Sequence, residues 1–109
     1  MKIYNKLVRD NIPDIIAATG ATCEHRTLTT EEYLDALNAK LDEEVAEYHE
    51  SGSIEELADI LEVIYAIAAA KGCPVGELDS VQFEKAAKRG RFDKRIMLIS
   101  VQDLKTDTN

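Results

Sequence analysis

The most constraining feature of this sequence is a three-residue break, Ser51-Gly52-Ser53, between two long stretches of helical periodicity. Before it, Leu34, Leu37, Leu41, Val45 and Tyr48 recur every three or four residues, the spacing of one helix face. After it, Leu57, Ile60, Leu61, Ile64 and Ala68 do the same. So short a joint turns the second helix back along the first, predicting an antiparallel αα-hairpin. Both helices open on a capping-box pattern: Thr29 stands three residues before Glu32, and Ser53 three before Glu56.

The flanking segments extend this core. Residues 1–8 read as an extended entry. Pro13 suits the first turn of a short helix over 11–19, stopped by Gly20. A further helix is expected over 74–89, from Pro74 to the glycine Gly90. Residues 22–28 and 95–101 have β-compatible composition and predict a small two-stranded element. The expected fold is therefore all-α, an antiparallel helical bundle with that accessory β element. One domain would fill 1–102, and 103–109 would be a polar tail. Val63, Ala66, Ile67 and Ala70 carry apolar character round the second long helix, so a second copy is the expected cover and the chain is read as a homodimer.

Charge narrows the function classes. Thirteen Lys and Arg against 21 Asp and Glu give a formal net charge of −8, which disfavours a nucleic acid polymer as partner. Cys23 and Cys73 form no CxxC pair and are expected as reduced thiols. The first ten residues lack the apolar core of a leader, and the apolar run at 64–70 is too short to span a bilayer. The reading is a soluble, cytoplasmic protein without a membrane partner.

The chemistry-bearing residues crowd the hairpin joint. Glu43-Glu44-Val45-Ala46-Glu47 ends the first long helix, and Glu56-Leu57-Ala58-Asp59 begins the second. Residues three apart are neighbours on a helix, so Glu44 pairs with Glu47 and Glu56 with Asp59. Antiparallel packing would bring the two pairs together. On the helical wheel Glu44 borders the apolar seam, Glu43 points nearly opposite, and Glu56 shares the azimuth of Val63 and Ile67. Carboxylates beside a packed seam need positive partners, either basic side chains or divalent cations. An all-oxygen set favours Mg²⁺, with Mn²⁺ as substitute, over zinc. Spacing alone leaves open the alternative of two separate solvated acidic faces. His25 and His49 show no partner pattern, and no glycine-rich phosphate loop is present.

Beyond the carboxylates, Tyr4-Asn5-Lys6-Leu7-Val8-Arg9-Asp10-Asn11-Ile12-Pro13-Asp14-Ile15-Ile16 resembles the signature of a short branch of the MazG-like, all-α nucleoside triphosphate pyrophosphohydrolases. The Glu43–Glu47 and Glu56–Asp59 elements are similar to that superfamily's EExxE and ExxD. Lys88-Arg89-Gly90-Arg91-Phe92-Asp93-Lys94-Arg95-Ile96 resembles the branch's closing motif. Two departures stand out: the joint between the acidic pairs is short, and Arg91 replaces the second of two motif glycines.

The resemblance implies a Mg²⁺-dependent enzyme that splits a small-molecule NTP into NMP and pyrophosphate. It implies Glu44, Glu47, Glu56 and Asp59 as metal ligands, with Glu43, Glu44 and Glu47 as the catalytic carboxylates. Lys6, Arg9, Lys88, Arg89 and Arg91 are the candidate phosphate-binding groups. Two other readings stay open. One is a non-catalytic dimeric helical adaptor, and the other is hydrolysis of a different phosphoanhydride such as phosphoribosyl-ATP.

Overall fold

The computed structural model describes residues 1–103, and the expected tail lies, Asp103 apart, outside them. Four α-helices occur among the described residues: α1 (Ile12–Ala18), α2 (Thr30–Ser51), α3 (Ile54–Ala70) and α4 (Val75–Arg89). The protein is all-α, with helix bounds within a residue or two of those read from the sequence. The described residues form two compact units, Met1–Leu78 and a second that begins at Asp79. The N-terminal segment, α1 and the α2–α3 hairpin belong to the first.

Each long helix begins where a side chain can answer a free backbone N–H. At α2 the capping box is complete: Thr29 Oγ1 accepts from the Glu32 N–H at 3.2 Å, and Glu32 Oε1 accepts from the Thr29 N–H at 3.0 Å. Arg26 adds bonds of 3.1 and 2.7 Å to the same carboxylate. That guanidinium, with the two Thr29 bonds, holds the Glu32 carboxyl down at about 2. At the far end Gly52 takes a left-handed φ of 65° and donates its N–H to the Tyr48 carbonyl at 2.7 Å, closing α2. Two residues later α3 has begun.

Packing of α2 on α3 forms the core of this unit. Leu37 is 3% exposed and Val63 8%, and Leu34, Leu41, Val45, Tyr48, Ala66 and Ile67 are half-buried around them. Burial of a side chain like Leu37 contributes about 2 kcal/mol. The expected α2 stripe thus faces α3. On α3 the sequence reading needs correction. Of its expected inward face, Ile60 and Ala68 are half-buried but Leu57, Leu61 and Ile64 are exposed, and Val63 is buried instead. Both faces of α3 are apolar, so hydrophobicity alone does not choose between them. The chosen azimuth carries Glu56 and Val63 together.

The two-stranded β element is a second correction, because no strand occurs among the described residues. A strand exists through a paired ladder, and extended composition does not supply a partner. Arg95, at the start of the expected 95–101 strand, sits at φ 59°, a left-handed conformation that breaks extended backbone, just after a turn bond from its N–H to the Phe92 carbonyl. From Ile96 to Ile99 the apolar run also lacks the period of two that a one-sided strand shows.

Cys23 and Cys73 are free thiols. No helix among the described residues is long and apolar enough to cross a membrane.

Candidate metal centre

The hairpin joint converts sequence spacing into a carboxylate cluster. Oxygens of Glu43, Glu44 and Glu47 lie within 4.8 Å of one another, and so do oxygens of Glu44, Glu56 and Asp59. Glu44 belongs to both sets and joins α2 to α3. It is also the most buried charged residue described, at 6% exposure. Its Oε1 lies 3.2 Å from Lys40 Nζ, whereas its Oε2 is buried with no hydrogen-bond partner. Glu56 Oε2 is in the same condition.

Local structure explains why Glu56 is available. At the start of α3, Ser53 Oγ accepts from the Glu56 N–H at 3.3 Å, as a capping box requires. The reciprocal bond is absent. The Ser53 N–H donates to Ser51 Oγ at 3.2 Å, so the Glu56 carboxylate turns to Glu44 and Asp59 instead. The sequence pattern at Ser53 and Glu56 matched the one at Thr29 and Glu32, yet only the latter closes both ways. Ser51, from the last turn of α2, makes the difference.

Cations approach the cluster from its flanks. Lys6 Nζ lies 2.9 Å from Glu43 Oε1, which Lys40 Nζ also meets at 3.4 Å. Burial raises the Glu43 carboxyl, but Lys6 and Lys40 outweigh it and leave the group below its ordinary value. Lys6 is raised in turn, chiefly by its bond to Glu43. On the α3 side, Arg9 donates to Asp59 Oδ1 at 2.8 Å and pairs with Glu62 at 3.7 Å. Glu56 is pushed above its ordinary value, first by desolvation and then by Glu47, Glu44 and Asp59. Five carboxylates therefore meet the three flanking cations Lys6, Lys40 and Arg9 and keep an acidic excess.

A hard divalent cation fits this arrangement. The donors are all carboxylate oxygens, they come from two helices, and a buried oxygen of Glu44 has no other partner. An unpartnered buried carboxylate oxygen is costly unless a cation answers it. Mg²⁺ and Mn²⁺ prefer such oxygen sets.

Of the four carboxylates the joint predicts to converge, the structure groups Glu44 with Glu56 and Asp59, and groups Glu47 with Glu44 and Glu43. Glu43 corrects the wheel: it is half-buried and within reach of Glu44, because a long side chain bends round the helix. Lys6 and Arg9 also reach the cluster, through carboxylates. Lys88 and Arg89 close the last turn of α4, and Arg91 follows Gly90. All three belong to the second unit. Sequence reasoning missed Lys40, Ser51 and Glu62. Lys40 was discoverable, since it precedes Glu43 by three residues and Glu44 by four.

A stretch of 42 residues is 62% identical to an uncharacterized protein of Mycolicibacterium smegmatis, covering 38% of this chain and 43% of that one. The match thus spans less than half of the relative's length. No family model matches the chain, and no solved structure does.

Proposed function

We propose that this chain is a Mg²⁺-dependent nucleoside triphosphate pyrophosphohydrolase of the MazG-like kind, its hairpin part of an antiparallel helical bundle. The observation that carries the reading is Glu44: buried, shared by two carboxylate sets, with one oxygen unpartnered. The substrate class is a small-molecule nucleotide, and the role is removal of non-standard or surplus NTPs in the cytoplasm.

Glu44, Glu47, Glu56 and Asp59 would hold the ion. When bound, Mg²⁺ or Mn²⁺ screens triphosphate charge and makes a coordinated water more acidic. Glu43 is a poor proton acceptor because Lys6 and Lys40 already share its Oε1. Glu47 serves twice in this reading, as a ligand and as the carboxylate that orients the attacking water and takes its proton. Water adds to phosphorus at the α–β linkage, that P–O bond breaks, and pyrophosphate leaves with NMP as the other product. Lys40 fixes Glu43 and Glu44 from within α2. Lys88, Arg89 and Arg91, in the second unit, are phosphate-binding candidates by their motif alone, and a second copy covers Leu57, Leu61 and Ile64 of α3.

Purified protein incubated with Mg²⁺ and canonical, deoxy and modified NTPs, with phosphoribosyl-ATP added to the panel, should release pyrophosphate. Glu44→Gln and Asp59→Asn should each lower the rate by about 100-fold or more, the scale expected when such charge stabilisation is removed. Full activity in either variant, or no turnover across the panel, overturns the proposal. The exposed apolar face of α3 supports a second reading, a dimeric adaptor without turnover. That reading predicts no thermal shift with Mg²⁺ and nucleotide, whereas a hydrolase shifts upward.

A further inference from the structure

Lys6 and Arg9 resemble phosphate ligands in their motif, yet the structure engages both with carboxylates. Their placement is specific. Lys6 binds Glu43 in the C-terminal half of α2, and Arg9 binds Asp59 in the second turn of α3. One short segment therefore spans the acidic joint, with a cation on each helix. Asn5, immediately before Lys6, takes a left-handed φ of 45°, a bend that asparagine tolerates better than most residues. Lys6 Nζ also lies 5.8 Å from the centre of the Tyr4 ring.

The segment holds the cluster loosely. Lys6 is 41% exposed and Arg9 56%. A cavity of about 110 Å³ is lined by residues of both the segment and α2, among them Asn5, Lys6, Leu7, Ala39 and Lys40. The oxygens that Lys6 and Arg9 occupy are peripheral, and the buried Oε2 atoms of Glu44 and Glu56 receive nothing from them. A contact made of exposed ion pairs over a cavity is weak and exchangeable. The buried oxygens need a cation of another kind.

We propose that residues 4–10 are an exchange strap: Lys6 and Arg9 neutralise Glu43 and Asp59 until a metal–polyphosphate arrives, then transfer to its phosphate oxygens. The inference rests on the hydrolase reading and adds a partner swap to it. Before exchange the pairs are Lys6 with Glu43 and Arg9 with Asp59. Afterwards Asp59 faces the metal, Glu43 keeps Lys40 as its partner, and the two cations face the polyphosphate. Formal charge stays paired throughout, so neither set is stranded. Guanidinium and ammonium groups bind phosphate at least as well as carboxylate, and the Arg9 fork suits two phosphate oxygens. The ligand class is the polyphosphate itself, with no contact to base or sugar.

The swap gives opposite signs in two titrations of the full chain, which a merely structural role does not. With Mn²⁺ alone, Lys6→Gln and Arg9→Gln should each bind the metal about two- to fivefold tighter, because a competing cation is gone. With Mn²⁺ and inorganic triphosphate, the same variants should bind the anion about tenfold weaker, because a charge-assisted donor is gone. Lys6→Arg should restore most of the second loss. Circular dichroism melts check that each variant folds, and Lys6→Met serves if Lys6→Gln does not. Both constants falling together, or neither moving, overturns the strap alone while Glu44→Gln still abolishes Mn²⁺ binding. Wild-type protein that binds no Mn²⁺ overturns the hydrolase reading and the strap with it.

Discussion

Replacing Glu44 by glutamine should raise stability in a chelator and lower it in magnesium. The substitution conserves shape, so it leaves no cavity. In metal-free protein it removes a buried charge whose Oε2 has no partner, a defect that costs about 1–3 kcal/mol. It also removes like-charge contact with Glu43, Glu47, Glu56 and Asp59, whose oxygens lie within 4.8 Å in one set or the other. Against this stands the part-buried pair with Lys40 at 3.2 Å; Lys40 keeps its second partner Glu43, which holds the loss to about 1 kcal/mol. The balance favours the variant by about 1 kcal/mol, or about 5 °C in Tm for a domain of this size. Magnesium reverses the order. At 100 times its Kd the ion stabilises wild-type protein by about 2.7 kcal/mol, and the variant, lacking the shared ligand, gains little. Urea melts followed at 222 nm, with EDTA and with Mg²⁺, give all four numbers. A variant less stable than wild type in EDTA, with an unchanged gain in Mg²⁺, would refute the reasoning.

Other perturbations test the parts that build the site. Ser53→Ala removes the α3 cap and should cost about 1 kcal/mol in urea melts, while Ser51→Ala frees the Ser53 N–H to recapture Glu56 and should weaken Mn²⁺ binding in calorimetry with little change in stability. Gly52→Ala meets no atom within 4 Å, so its loss of about 1–2 kcal/mol comes from the left-handed backbone alone. The pH response has two signs. Glu32, held at about 2 when folded against an ordinary 4.5, contributes stability that is full above 4.5 and disappears as pH falls towards 2. Glu56, raised when folded, acts oppositely: metal-free protein loses stability as pH climbs from 4.5 through the raised value. Glu32→Gln should flatten the limb below 4.5 and Glu56→Gln the limb above it, both read from urea midpoints against pH.

Periodicity and caps made the helices legible in the sequence. The α2 stripe from Leu34 to Tyr48 and the Thr29 box are local patterns, and local physics decides them. The carboxylate pairs were legible for the same reason, since a short joint translates spacing directly into proximity. The face of α3 was not, because Leu57, Leu61 and Ile64 compete with Val63 and Ile67 on nearly equal apolar terms, and packing settles the tie. The partial cap at Ser53 depended on Ser51 lending its hydroxyl, a detail of three atoms that a capping pattern does not encode. Lys6 and Arg9 were placed near phosphate by motif, whereas their carboxylate partners lie 37 and 50 residues away. The expected strands at 22–28 and 95–101 failed for the complementary reason: pairing is non-local, and composition is silent about it.

Because Glu44 sits in both carboxylate triads, two ions held there, on the proposed reading, would not bind independently. An ion drawing on one oxygen alters the charge and rotamer offered to the other, so two ions would titrate as a linked system with unequal successive constants. On that reading one side chain would set the number of ions held, and a single damaged codon would silence both triads.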